Sequence, residues 1–385
     1  MKKLITAVAA ALLIGVDAGA YDFVKDGIFY TILPGDVAQV EVSCEKQGYD
    51  VDNYDSPMMR DMPLYYFLEW EGNTYSGDVV VPESVEWEGV AYAVTAIGKA
   101  AFHNCKELTS VSLPASVRRI AAGAFAMCSL ESLELPEGLE ELEEAAFMNA
   151  SRLAGISLPM NISTIPRSCF SGAGSEAGSF TLEGWEHLHN VGLCGMAGTP
   201  VSEVTLPDFR DFQLGFRAFF GSGLRKISLP ASGMDEYAEL EGCPELERVV
   251  LPCDAAEMKS VGIADCPKFA VFETGNPVPP SVTYAWGEQE LKATLEVPAG
   301  SVDAYKEAEG WKNFARIVPI GSTSVEELPQ APQVSVNGGD IKISGDYASV
   351  EVYGISGSRM PLTGLAPGVY IVRVDGRTFK VLAGR

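Results

Sequence analysis

From about residue 97 the apolar positions of the chain fall into a phrase that keeps returning. "AFHNCKELTSVSLP" at 101 comes back as "AFAMCSLESLELP" from 124 and as "AFMNASRLAGISLP" from 146. Leucine followed by proline recurs at Leu113, Leu135, Leu158, Leu206, Leu229 and Leu251, and Leu182 fills the gap with Glu183 in place of proline. The steps are 22, 23, 24, 24, 23 and 22 residues. Upstream of each leucine a large apolar anchor falls at Phe102, Phe125, Phe147, Phe170, Met196, Phe219, Leu240 and Ile263. A period this regular over eight units predicts a solenoid of stacked coils.

Within a unit, segments such as "LTSVSL", "LAGISL" and "LRKISL" place apolar residues at the end and two residues before it. Alternation of this kind predicts a short strand with those side chains inward, closed by a proline that has no N–H to donate. "AIGKAAF" and "RIAAGAF" are expected to form the opposite wall as turns or short helical pieces. One coil of about 22 residues buries too few side chains to offset the entropy of ordering it. Stacked coils pair their strands and share one core, so the array folds where the single unit does not.

The pattern Ile-x-x-x-Ala-Phe-x-x-Cys-x-x-Leu-x-x-Val-x-Leu-Pro, met almost fully by Ile97 to Pro114, resembles the BspA-type leucine-rich repeat family. The likeness runs over about residues 90–320, since "LEVPAGSVDAYKEAEGWKNFARIVPI" is similar to that family's closing segment. It implies a leucine-rich repeat solenoid, β-rich, with right-handed coils and short helical or turn segments. It also implies an exported bacterial protein of the Bacteroidetes kind, acting in surface adhesion and binding. Met196, Leu240 and Ile263 depart from the aromatic anchor, and "SGAGSEAGS" from 171 loosens one unit, so irregular curvature is expected there.

The flanks read differently. Residues 1–20, "MKKLITAVAAALLIGVDAGA", have the lysines, apolar run and small residues of a cleaved secretory signal. Residues 21–95 are expected to form an N-terminal β cap, with a hairpin about Asp26 and Gly27 and strands from Tyr65 to Trp70 and Val79 to Val81. The solenoid and its C-terminal cap occupy 96–320, where Ser301 is expected to cap a helix carrying Tyr305, Ala308 and Trp311. Residues 321–335 read as a linker, and 336–385 as a small antiparallel, β-sandwich-like domain. Within it, "VYGISGSRM" and "LAPGVYIVRVDGRTFKV" resemble the sorting domains of type IX secretion substrates. That resemblance implies display at the cell surface or release, with periplasmic residence as the alternative.

A net charge of −24 argues against nucleic acid and anionic membranes as partners. His103 sits in a repeat turn; His187 and His189 with Cys194 lack a fourth ligand at any known spacing, so no metal and no cofactor is expected. Neither a Gly-x-Ser-x-Gly elbow nor a His-Glu-x-x-His helix occurs, and Glu140, Glu141, Glu143 and Glu144 fall on spacer positions expected to be solvated. Cys105, Cys128, Cys243 and Cys266 stand three residues after an anchor and should form an inward column. Coil spacing leaves Cys105–Cys128 and Cys243–Cys266 either as free thiols, which parallel side-chain directions favour, or as disulfides.

The outward strand positions are the candidate binding face: Ser112, Glu134, Ser157, Thr181, Thr205 and Ser228, with Arg225 and Lys226 as one basic step. The expected function is that of a non-enzymatic, monomeric binding or adhesion protein, presenting this face to a host or bacterial surface protein or a glycan. The mature chain is not expected to insert in a membrane. A cell-envelope structural or glycan-capture component is the alternative, and a carboxylate-based glycan-active enzyme a more distant one.

Overall fold

The computed structural model describes residues 21–45, 74–207, 212–230, 239–253, 257–258, 261–283, 286–322, 333–337, 339–344, 349–374 and 377–383. The expected signal sequence, the strand expected from Tyr65 to Trp70 and most of the expected linker lie outside them. Two compact units divide at Ile320 and Gly321. Among the described residues no helix is long and apolar enough to cross a membrane.

The first unit is a leucine-rich repeat solenoid, each coil folded into three runs that stack on those of its neighbours. One run carries the strands read from the Leu-Pro phrase. Their central inward residues lie in parallel register from Val204 to Ile227, Val249, Phe272, Leu295 and Ile317, all buried. A second run is built from two-residue pairings, Ile97 with Ile120 and Leu142, then Ile165 with Val191 and Leu214. These pairings and tight turns replace the helical pieces allowed for in the opposite wall.

The third run carries the anchors. Phe102, Phe125, Phe147 and Phe170 stack ring on ring at centroid distances of 5.1, 5.4 and 5.4 Å, close to the spacing of paired strands. Met196, Phe219, Leu240 and Ile263 continue the column, all buried. Two residues past each anchor the chain turns through a left-handed conformation. Asn104, Met127, Asn149, Gly172, Gly198, Gly221, Gly242 and Asp265 have φ between 51° and 72°. Seven of these eight are Gly, Asn or Asp, the types that tolerate that region. Three residues past the anchors the side chains are small and buried: Cys105, Cys128, Ala150, Ala173, Thr199, Ser222, Cys243 and Cys266. All eight cysteines of the chain are free thiols.

One unit departs from its expected alignment. The repeated phrase pairs Leu182 with Leu158, but in the fold Leu182 lies in register with Ile156, and Thr181 with Gly155. The physical reason is the stretch 174–178, which folds back on itself through a Gly178 N–H to Gly174 O bond and hangs from Ser151 by the Glu176 N–H. Those extra residues carry no strand, so the strand Thr181–Glu183 arrives two positions out of phase.

Of the spacer glutamates, Glu140, Glu141 and Glu144 are exposed as expected, and Glu143 alone is half-buried. Glu143 accepts from Arg119 at 2.8 Å and from the Ala122 N–H at 2.8 Å, while Arg119 also holds Glu41 at 2.6 Å. Glu41 is nonetheless pushed above the usual carboxylate range, chiefly by burial. Arg248 joins Glu273 and Glu296 at 2.6 and 2.8 Å, one and two strands along the same wall.

Both ends are covered. In front, the hairpin of strands Phe23–Lys25 and Ile28–Ile32 turns at Asp26 and Gly27, and Gln39–Ser43 then joins Val90–Ile97 in parallel. Tyr75 rests on Phe102 at 4.8 Å and donates from its Oη to Ser43 O. Behind, Trp286, Tyr305, Trp311 and Phe314 seal the core over Phe272. The short helix Glu288–Lys292 ends the anchor run with side chains in place of a further coil. Glu290 Oε1 accepts the Ile263 N–H at 2.6 Å, and Gln289 Nε2 donates to Cys266 O at 3.0 Å. Ser301 does not cap the helix Val302–Glu307; its hydroxyl donates instead to Pro277 O at 2.7 Å, tying the helix start to the coil beneath.

The second unit is antiparallel. Gln333–Asn337 pairs with Asp340–Ser344, and a four-stranded sheet runs Arg359–Met360, Val350–Gly354, Gly368–Val374, Arg377–Ala383. Ile341 from the first sheet packs with Val352, Tyr370, Val372 and Val374 from the second.

Candidate binding site

The outward face of the Leu-Pro strands is not one continuous sheet. Its ladders are Gly77–Val80 with Leu108–Ser112, then Gly155–Ser157 with Thr181–Glu183, then the six strands from Glu203–Thr205 to Arg316–Pro319. Residues 132–136 pass between the first two ladders with no strand partner among the described residues. The candidate face residues are accordingly shared out. Ser112 lies in the first ladder beside Val80; Thr205 and Ser228 are neighbours in the third. Arg225 is spent on Glu247 at 3.2 Å, and Lys226 stands between Glu203 and Arg248. Glu134, Ser157 and Thr181 lie together where the sheet is interrupted. Ser157 and Thr181 are not adjacent in a column, because Ser157 faces Glu183 and Thr181 faces Gly155.

At that interruption a cleft of about 980 Å³ opens across three coils. Its walls are residues 133–137, 155–160 and 181–187, and its floor is the buried side chains of Leu133, Ile156, Leu158 and Leu182. Two side chains missed in the sequence shape it. Met160, just past the third Leu-Pro, is 73% exposed at the mouth. Trp185 stands half-buried on the facing wall, its ring 6.2 Å from Phe219.

The wall that carries Trp185 exists because this unit lacks its proline. In the observed register Gly184 and Trp185 fall where the neighbouring coil has Leu158 and Pro159, and Trp185–His187 form a single 3-10 turn. Gly184 enters that turn at φ 92°, and a Cβ there would stand 2.8 Å from Leu158 O, so only glycine fits both the angle and the space. His187 Nε2 donates to Pro159 O at 3.1 Å and pins the turn to the neighbouring coil. In the sequence, the missing proline after Leu182 was the signal of this departure.

Four carboxylates line the cleft, Glu134, Glu137, Glu183 and Glu186, and none has a cationic partner among the described residues. Elsewhere on the unit Glu41, Glu143, Glu241, Glu247, Glu273 and Glu296 are all paired with arginine. Nearer the front of the face, Ser110 and Thr109 donate to Asp78 and hold its carboxyl below the usual range. His187 and His189 do not converge with Cys194 on a metal position; among the described residues no group of three or more ligating side chains does so.

The family described as BspA type leucine rich repeat region (6 copies) matches residues 88–183. None of the functionally curated proteins compared with the chain matches it. Similar solved structures include a leucine-rich repeat protein from Bacteroides ovatus, 19% identical, covering 78% of this chain and 100% of that one, with a TM-score of 0.32. Another is a leucine rich repeat protein of T. pallidum, 26% identical over 50% of this chain and 77% of that one, TM-score 0.31. A leucine rich cell surface protein from Faecalibacterium prausnitzii is 14% identical over 78% and 95%, TM-score 0.37. Over residues 88–183, which hold the four anchors Phe102 to Phe170, the chain is thus similar to the BspA-type leucine-rich repeat region, and the same column spacing continues in its own coils as far as Ile263.

Proposed function

We propose that the protein is an exported, non-enzymatic binding scaffold of the bacterial cell surface, and that the interrupted strand face is where it engages another macromolecule. The observation that carries this is the cleft itself. An exposed methionine, a half-buried tryptophan and four carboxylates with no cationic partner among the described residues stand over a preformed apolar floor. Pockets of this size with an apolar base and a few polar groups are the usual seats of ligands. Export is supported by the signal-like residues 1–20 and by the resemblance of the second unit to type IX sorting domains.

The test is an array of extracellular matrix proteins, bacterial surface proteins and glycans probed with the purified protein, beside a Met160→Ala/Trp185→Ala variant. Capture of a ligand by the parent protein and its loss in the variant is the expected result. Capture that ignores the variant, or turnover of a glycan without stable capture, would overturn the reading.

A further inference from the structure

We infer that the cleft takes a cationic segment of polypeptide, with a lysine or arginine side chain lying along Trp185 and Met160 and its charge held among Glu134, Glu137, Glu183 and Glu186. The inference rests on the binding-scaffold reading and names the class of partner for the same cleft.

Charge balance is the first argument. The cleft is lined by four glutamates and no lysine or arginine, so its field is not cancelled from within. The pairs that Arg119, Arg217, Arg225 and Arg248 make with their glutamates all lie outside the lining, so none of those arginines offsets the four carboxylates. Carboxylates left in this condition repel one another, and a partner that brings positive charge relieves that repulsion as it binds.

Shape is the second. Lysine and arginine combine a long apolar stem with a charged tip, and the cleft offers both surfaces in the matching order. Met160 and Trp185 supply apolar and aromatic area at the mouth, the tryptophan face being the best aromatic partner for a cation. Glu134 and Glu183, both exposed, reach the same opening from the two flanking coils.

Backbone chemistry is the third. Residues 132–136, and the edge of the strand Gly155–Ser157 that faces them, make no ladder with each other among the described residues. Amide and carbonyl groups not spent on a ladder are what the main chain of a peptide recognises. A neutral glycan would find the tryptophan but leave four carboxylates uncompensated, and a sulfated one would be repelled. The observations therefore favour a basic peptide over a sugar.

The experiment uses the full chain and fluorescein-labelled octapeptides in which four arginines alternate with serine, or four glutamines do. Anisotropy at 50 mM NaCl is expected to show at least tenfold tighter binding of the arginine peptide, weakening as salt is raised to 300 mM. Glu134→Gln/Glu183→Gln is expected to cost at least tenfold in that affinity with an unchanged thermal melt, since both residues are exposed. A control of equal charge, Glu83→Gln/Glu86→Gln, lies outside the cleft and is expected to leave affinity unchanged.

Equal binding of the two peptides, equal losses in the two double variants, or displacement of the peptide by cellohexaose would each overturn the inference. If the array ligand stays bound to Glu134→Gln/Glu183→Gln while losing Met160→Ala/Trp185→Ala, only the cationic assignment falls. If neither array nor peptides bind, the scaffold reading falls with it.

Discussion

The carboxylate of Glu290 takes the backbone N–H of Ile263 at 2.6 Å, and both residues are buried. Ile263 is the last anchor, and its N–H would otherwise await a coil that does not exist. Glu290→Ala leaves a buried donor unpaired and should cost about 1–3 kcal/mol. Glu290→Gln keeps an acceptor oxygen and should cost less. Urea denaturation followed by circular dichroism separates the two, and equal midpoints would show that the carboxylate does not close the array.

Phe147 sits between Phe125 and Phe170, 5.4 Å from each ring. Phe147→Ala removes a fully buried ring from the middle of the stack and should destabilise the first unit by about 3–5 kcal/mol. Phe147→Leu retains much of the volume and should lose less than half of that. The comparison is read from denaturation midpoints of the two variants.

Arg248 holds Glu273 and Glu296 together, and the two acids face each other without it. The three side chains are 29%, 26% and 13% exposed, so solvent screens much of the attraction, and Arg248→Ala should cost about 1 kcal/mol. Arg248→Lys should recover only part, because an ammonium cannot match the guanidinium fork. The deficit of Arg248→Ala should shrink in 1 M NaCl, as a melting series with and without salt would show.

Burial pushes the Cys128 thiol up to about 11, against an ordinary value of 9.0. Between those two values an unfolded chain sheds this proton and the folded chain keeps it, so folding binds more protons and stability falls as pH rises. Its contribution is whole below pH 9 and lost through pH 11. Cys128→Ala should therefore flatten the decline of denaturation midpoints between pH 9 and 11. In native protein at pH 8, iodoacetamide should reach the exposed Cys253 first, while Cys105, Cys128, Cys169, Cys243 and Cys266 stay protected until unfolding, as peptide mass mapping would show.

Periodicity made the core legible. The anchors at Phe102 to Ile263 and the inward residues of the Leu-Pro strands are buried at the spacing that the repeated phrase gives them, since each column must meet its copy in the next coil. Phase was harder to read. Leu182 has the residue type of a strand-end leucine, yet nothing in its own segment reveals that residues 174–178 take up two extra positions. Glu290 and Ser301 escaped for a related reason: each acts on a backbone group about one coil away, Ile263 and Pro277, and such a pairing follows no period. Of the candidate face, Glu134, Ser157 and Thr181 line the cleft, whereas Met160 and Trp185 lie just beyond the strands, where the phrase says nothing.

The ring column bears on how this molecule can diversify. Each phenylalanine must satisfy the coil on either side, so a change there is felt by three units at once. The side chains of Ser157, Thr181 and Glu183 are exposed on the outward face. Recognition chemistry written at such sites can be exchanged residue by residue while the spine beneath stays fixed, and a lineage could inherit the framework and retune its specificity separately.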